Sequence, residues 1–266
     1  MRNRQEFPFI QVGIFQQHSK IEVVYWDKQD FHYCEFELIQ GVNISEKIAN
    51  LLGLSLKEYQ TRVRYVSAIA AHQVWHKTVI VPQQLTEDEC LQQCQHLIQQ
   101  AFPALEAKEC WFDYQMEFLK QGMRLDIIAV MKSIAEKTIL SYLPISITVL
   151  NTVPMCIMRA CLYLVGEKLP THSLILYQDL HTCLALIDTG YDFMVLNKNE
   201  SSLFALYQEV VAFDMDIQQV FAYQHSQIKT LNIQEQHCKD KSWQWLKNDI
   251  PLIPLGAALW GNYQGH

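Results

Sequence analysis

One pattern occurs twice in the chain, and it limits the available folds more than any single motif does. Strand-like runs at Phe9–Phe15, Ile21–Trp26 and Phe31–Ile39 lead into a helical stretch near Ser45–Leu52. Runs at Leu174–Gln178, Thr182–Asp188 and Phe193–Asn197 lead into another near Ser202–Val211. A βββα unit present in both halves predicts a two-lobed α/β fold with a cleft between the lobes.

The 266 residues suffice for one large domain or two lobes, and either can bury a real core. Half of them are hydrophobic and 18% are charged, which fits an ordered globular chain. A formal net charge of -7, with no run of Lys or Arg, argues against direct nucleic-acid binding. The start Met1–Glu6 has a basic flavour, but the apolar run after it is short and contains Pro8 and Gln11, so an N-terminal strand is expected rather than a signal peptide. Leu140–Met158 is uncharged, yet Pro144, Asn151 and Pro154 divide it into a strand, a turn and a helix start, and no membrane span is expected. Eight cysteines without a signal peptide point to a reducing compartment, hence a soluble cytoplasmic protein.

Between the two repeats the chain changes character. Tyr65–Ile69 extends the first sheet, and Thr78–Val81 is a β-branched run. Thr86 and Glu89 form a capping box ahead of Cys90, Leu91, Cys94, Leu97, Ile98 and Ala101, which share one helical face. Trp111–Phe118, a turn at Gln121-Gly122 and Leu125–Met131 read as a hairpin, followed by a helix over Ser133–Leu143 and a strand over Ile145–Leu150. The β-α-β-β-α order of Thr78–Leu143 is complete in itself, so it is expected to be a small inserted α+β subdomain. The expected division is 1–77 for the first lobe, 78–147 for the insertion, 148–171 for the first lobe's crossover helix, and 172–266 for the second lobe, with the C-terminal helix able to return to the first. The crossover helix carries Asn151-Thr152 as its cap, Pro154 in its first turn and Gly166 at its end. A helix over Asp216–Tyr223, a strand near Gln227–Ile233 and a turn opening a helix at Pro254–Leu259 complete the reading.

Candidate chemistry is sparse. Cys90, Cys94, His96 and Cys110 do not have the spacing of a zinc knuckle, and the two helical cysteines lie on the apolar face. His72 and His76 are four apart without a carboxylate or third His nearby. Asp188-Thr189-Gly190 matches an aspartic-protease signature, but its place between two strand runs predicts a turn. No Walker A, dinucleotide fingerprint or nucleophile elbow is present. Gly256 opens the last apolar helix, where backbone could approach a base or ribose; close helix packing is the competing explanation. Trp26, Trp243, Trp245, Trp260 and Tyr263 are not periodic and divide between core packing and a peptide groove.

Several strings, in order along the chain, resemble one family: Val12-Gly13-Ile14, Val79–Leu85 before a capped helix, Phe112–Gln115, Pro154–Ala160 on the crossover helix, and Leu255–Leu259. The resemblance is to the PilM family of actin-like proteins of type IV pilus machinery, and within it most nearly to competence protein A. It implies an actin-like fold built from duplicated ribonuclease H-like lobes, with a small α+β insertion in the first. It also implies a cytoplasmic, non-catalytic scaffold that binds the N-terminal peptide of a bitopic, PilN-like inner-membrane protein. That partner would link it indirectly to an outer-membrane secretin complex in pilus assembly or DNA uptake, and the peptide groove is expected between the first lobe and the insertion. Members that use nucleotide carry Asp-x-Gly after the Val-Gly-Ile string; here Phe15-Gln16-Gln17 stands there, and the second hairpin reads Asp179-Leu180-His181. The resemblance therefore does not carry phosphate and magnesium ligation over to this chain, and no cofactor is expected. Gly13 and Gly256 remain cofactor positions by family match alone, no metal ligand is assigned, and the alternative is a residual ATP-binding switch or slow ATPase that uses Asp179 and Asp188.

Overall fold

The computed structural model describes residues 9–261, apart from 28, 39–42, 83–84, 105–106, 167, 199–201, 214–215 and 226–242. The chain opens with strands β1 (Ile10–Gln17), β2 (Lys20–Trp26) and β3 (Phe31–Glu37), helices α1 (Ile44–Leu51) and α2 (Leu56–Arg62), and strand β4 (Val63–Ile69). Next come β5 (Trp75–Val81), α3 (Glu87–Ala101), β6 (Cys110–Leu119), β7 (Gly122–Met131) and α4 (Lys132–Ser141). Strand β8 (Ile147–Thr152) and helix α5 (Val153–Val165) lead to β9 (Ser173–Gln178), β10 (Cys183–Asp188), β11 (Phe193–Lys198) and α6 (Leu203–Ala212). The described chain finishes with β12 (Gln219–Gln224), β13 (Trp243–Trp245) and α7 (Leu252–Ala258).

Two compact units emerge, one of residues 1–69, 138–168 and 248–266, the other of residues 70–137 and 169–247. In the first, a five-stranded sheet has the order β3-β2-β1-β4-β8. Its first three strands form an antiparallel meander, and β1, β4 and β8 run parallel. Val12, Ile14, Ile21 and Val23 on one face pack with Ile44 and Ile48 of α1 and with Tyr59 of α2. The other face receives α7, which also packs along α5. The first helix starts at Asn43, whose side chain accepts from the Glu46 amide, and α2 starts with a Ser55–Glu58 capping box. At α5, Thr152 caps the Met155 amide, Pro154 sits in the first turn, and Gly166 closes the helix at φ 78.

The second unit contains a five-stranded sheet of order β11-β10-β9-β12-β13, again an antiparallel meander with parallel additions beyond its first strand. The two sheets thus share one strand order, which realises the sequence repeat at the level of topology. Leu203, Leu206 and Val210 of α6 pack on Leu174, Leu176, Ala185 and Ile187. The unit also holds a three-stranded antiparallel sheet, β5-β7-β6, with α3 on one face. Residues 70–137, which include the three-stranded sheet and α3, lie between β4 and β8 in sequence and group with the second sheet, whereas residues 138–168 group with the first. An ion-pair cluster around the buried Arg124, described below, ties the three-stranded sheet to β10 and β11.

One element differs in kind from expectation. Asp216–Tyr223 does not form a helix; Gln219–Gln224 is a strand running parallel to β9. Its core, Val220–Tyr223, is buried on both faces, and such an unbroken apolar run has no period that separates strand from helix. The expected strand near Gln227–Ile233 lies outside the described residues. No described helix is long and apolar enough to cross a membrane.

Candidate functional site

The polar groups at the turns of the first hairpin of each sheet are engaged within the fold. In the first, β1 and β2 pair through Gln17↔Lys20, with His18 in the turn at φ 53. The Gln16 backbone N–H donates to the Tyr142 hydroxyl at 2.9 Å, and Ser67 Oγ donates to the same oxygen at 2.7 Å. Burial raises the Tyr142 pKa, so that hydroxyl is neutral in use and acts as a fixed acceptor for both groups. In the second hairpin Asp179 is only 5% exposed. Its carboxylate accepts from the Tyr177 hydroxyl at 2.8 Å, the His181 amide at 2.8 Å and the Thr182 amide at 2.7 Å. The Asp179 amide donates to the Thr182 carbonyl at 2.9 Å, completing an Asx-type turn. Both carboxylate oxygens are therefore engaged in holding the β9–β10 connection.

Gly13 and Gly256, the two family-matched cofactor positions, lie where backbones meet. A Cβ on Gly13 would fall 2.0 Å from the Pro254 carbonyl oxygen of α7, and one on Gly256 would fall 1.8 Å from the Cys156 carbonyl oxygen of α5. Hydrogen alone fits at both, so β1, α5 and α7 require these glycines for packing whether or not a ligand approaches. Polar ties fix the same contact: Arg159 donates to the Gly256 carbonyl at 2.6 Å, and Gln11 Nε2 donates to the carbonyls of Ala258 and Trp260 at 2.7 Å each.

Asp188-Thr189-Gly190 is a turn. The Gly190 amide donates to Asp188 Oδ1 at 2.8 Å, the Thr189 amide donates to the Asp192 carbonyl at 3.0 Å, and Gly190 takes φ 80. Asp188 has a second role that sequence reading missed. Arg124 of β7, 3% exposed, places Nη1 2.9 Å from Asp188 Oδ1 and Nε 2.9 Å from Asp126 Oδ2. Thr78 Oγ1 of β5 donates to Asp126 Oδ1 at 2.5 Å and accepts the Phe193 amide at 3.3 Å. Burial acts to lower the guanidinium pKa, but the charges of Asp188 and Asp126 outweigh it and raise it overall. The cluster joins the three-stranded sheet to β10 and β11. Its sequence signal was a lone Arg, with an Asp two residues on, in the otherwise apolar run Met123–Met131.

The remaining candidates separate. His72 lies in a short turn of helix and His76 on β5, where its ring packs edge-on against Phe193 with centroids 5.0 Å apart. Cys90, Cys94 and Cys110 all enter the core between α3 and its sheet, whereas His96 is exposed and bonded to Gln100. Burial pushes the Cys94 thiol up to about 11, the behaviour of a core cysteine. No cluster of three or more metal-ligating side chains occurs among the described residues. Trp243 packs on Tyr207 and Trp245, and Trp26 packs on Phe31, while Trp260 is partly exposed. Tyr263 lies outside the described residues.

With this geometry in hand, the fold can be placed among solved structures. A chain of a PilM-PilN type IV pilus biogenesis complex superposes with a TM-score of 0.66 at 14% identity, covering 98% of this chain and 100% of that one. The chain has a PilM-like, actin-like fold. A Bacteroides thetaiotaomicron protein described as having an actin-like ATPase fold and unknown function matches at TM-score 0.51 and 11% identity, over 97% of this chain and 98% of its own. The cytoplasmic domain of EpsL, an inner-membrane component of the type II secretion system of Vibrio cholerae, matches at 0.52 and 14%, over 96% and 99%. No family model matches the sequence, and no curated protein does.

Proposed function

We propose that this chain is a non-catalytic scaffold of type IV pilus or competence DNA-uptake machinery, which binds the N-terminal cytoplasmic tail of a PilN-like inner-membrane protein. The observation that carries the reading is the full-length, two-way fold likeness to the chain from the PilM-PilN complex. The likeness to the EpsL cytoplasmic domain supports the same setting, a component that works beside an inner membrane. The local chemistry agrees: the turn of the first hairpin, Gln16–Ser19, has no carboxylate, and the Asp179 carboxylate is engaged by its own hairpin. In this role the chain sits on the cytoplasmic face, held at the membrane through its partner, and reaches an outer-membrane secretin only indirectly. Neither a nucleotide nor a metal enters the proposed function.

The test is capture from solubilised membranes with the tagged chain, followed by titration of the recovered protein's N-terminal peptide. Saturable binding of a peptide from a bitopic protein is expected. If no bitopic membrane protein is recovered, the functional reading fails while the fold stands.

A further inference from the structure

The three-stranded sheet carries a second surface, independent of the tail-binding reading. Its strand order, β5-β7-β6, leaves β6 at an edge, and no described strand pairs with its outer side. Strands β6 and β7 are joined by a two-residue turn closed by Leu119↔Gly122. From that register, the alternation of an antiparallel ladder turns the amides and carbonyls of Phe112, Tyr114, Met116 and Phe118 toward the open edge. The Tyr114 amide agrees with this, since it bonds to the neighbouring Asp113 carboxylate at 2.9 Å.

The two faces of this edge differ in chemistry. Met116 lies opposite Leu125 and Phe118 opposite Met123, so both belong to the face that α3 covers further along. Yet Met116 is 39% exposed and Phe118 73%. On the opposite face the same strand presents Asp113 and Glu117, both exposed. Such an edge, long and partly apolar, is a template for another strand.

Charge selects the occupant. A second copy paired antiparallel about Gln115 would set Asp113 against Glu117, like charges directly opposite each other, which destabilises strand pairing. An anionic membrane surface is repelled by the same carboxylates. We infer that the β6 edge takes an extended segment of a partner protein in which apolar and basic residues alternate: backbone pairing along Phe112–Phe118, apolar side chains beside Met116 and Phe118, cations opposite Asp113 and Glu117.

The probe is a synthetic peptide alternating valine with lysine, titrated by fluorescence anisotropy against the whole chain. It is compared with a block-ordered peptide of the same composition and with a valine–glutamate alternation. The alternating lysine peptide binds tightest, and its affinity falls with added salt. Met116→Pro removes an outward-facing amide without touching the β7 ladder, and Glu117→Lys reverses a rim charge; each weakens binding about tenfold. Should the proline variant fail to fold, Glu117→Lys and Phe118→Ser, both at exposed positions, carry the test. Equal binding of all three peptides overturns the inference. So does a dimer that Met116→Pro disrupts, or binding of phosphatidylserine vesicles that Phe118→Ser abolishes.

Discussion

At Gly256 the distance from a would-be Cβ to the Cys156 carbonyl oxygen is 1.8 Å, and the blocking atoms are backbone, which cannot rotate away. Gly256→Ala therefore forces α7 off α5, and Gly13→Ala forces it off β1. Each is expected to cost about 3 kcal/mol, at the upper end of overpacking, read as a lowered urea midpoint. His76 gives a pH-dependent counterpart. Burial, assisted by Arg124, holds its imidazole below the usual 6.5 despite the nearby carboxylates. Below pH 6.5 the unfolded chain takes up a proton that the folded chain resists, so stability falls as pH drops through that value and is independent of this group above it. Urea unfolding between about pH 5 and about pH 7 should show this acid-side loss, and His76→Phe should reduce its slope. Equal slopes would contradict the assignment.

The elements are held by a few polar ties placed within apolar layers. Arg124 is the clearest: Arg124→Met leaves Asp126 in a half-buried site without its cation. The expected loss is about 2–3 kcal/mol, below the ~3–5 kcal/mol for wholly buried pairs because the Asp188 side chain is 44% exposed. Unfolding in urea measures it, and a loss under about 0.5 kcal/mol would mean that the cluster does not fasten the small sheet to β10. Elements with strong local grammar were legible in the sequence. Thr86 and Glu89 marked α3, Thr152, Pro154 and Gly166 bounded α5, and alternation with a turn at Gln121-Gly122 gave β6 and β7. Helix α2 was missed although Ser55 and Glu58 spell its capping box, because Leu56–Arg62 has too few turns to show a hydrophobic period. Strand β12 occupies a stretch whose sequence fits a helix equally well, because burial on both faces erases alternation. Of the Arg124 cluster only Arg124 and Asp126 stood out together in the sequence, since its other members lie on β5, β10 and β11 and only the fold brings them together.

Over the whole molecule, two sheets of identical strand order preserve an actin-like plan; the first hairpin's Gln16 amide is held by Tyr142, and the second hairpin's Asp179 by the amides of its own turn. The duplication was visible in the sequence because each strand run and each helix recurs in order. The compact units were less so: residues 70–137, which lie between β4 and β8 of the first sheet in sequence, group with the second sheet, and residues 138–168 group with the first. The proposed function requires that the fold serve as a protein-binding platform without nucleotide. Isothermal titration of the whole chain with Mg-ATP tests it most directly. No saturable heat is expected at micromolar to millimolar nucleotide, and the partner-tail affinity is expected to be unchanged by Mg-ATP. Micromolar Mg-ATP binding that Asp179→Ala abolishes in a folded protein would contradict it.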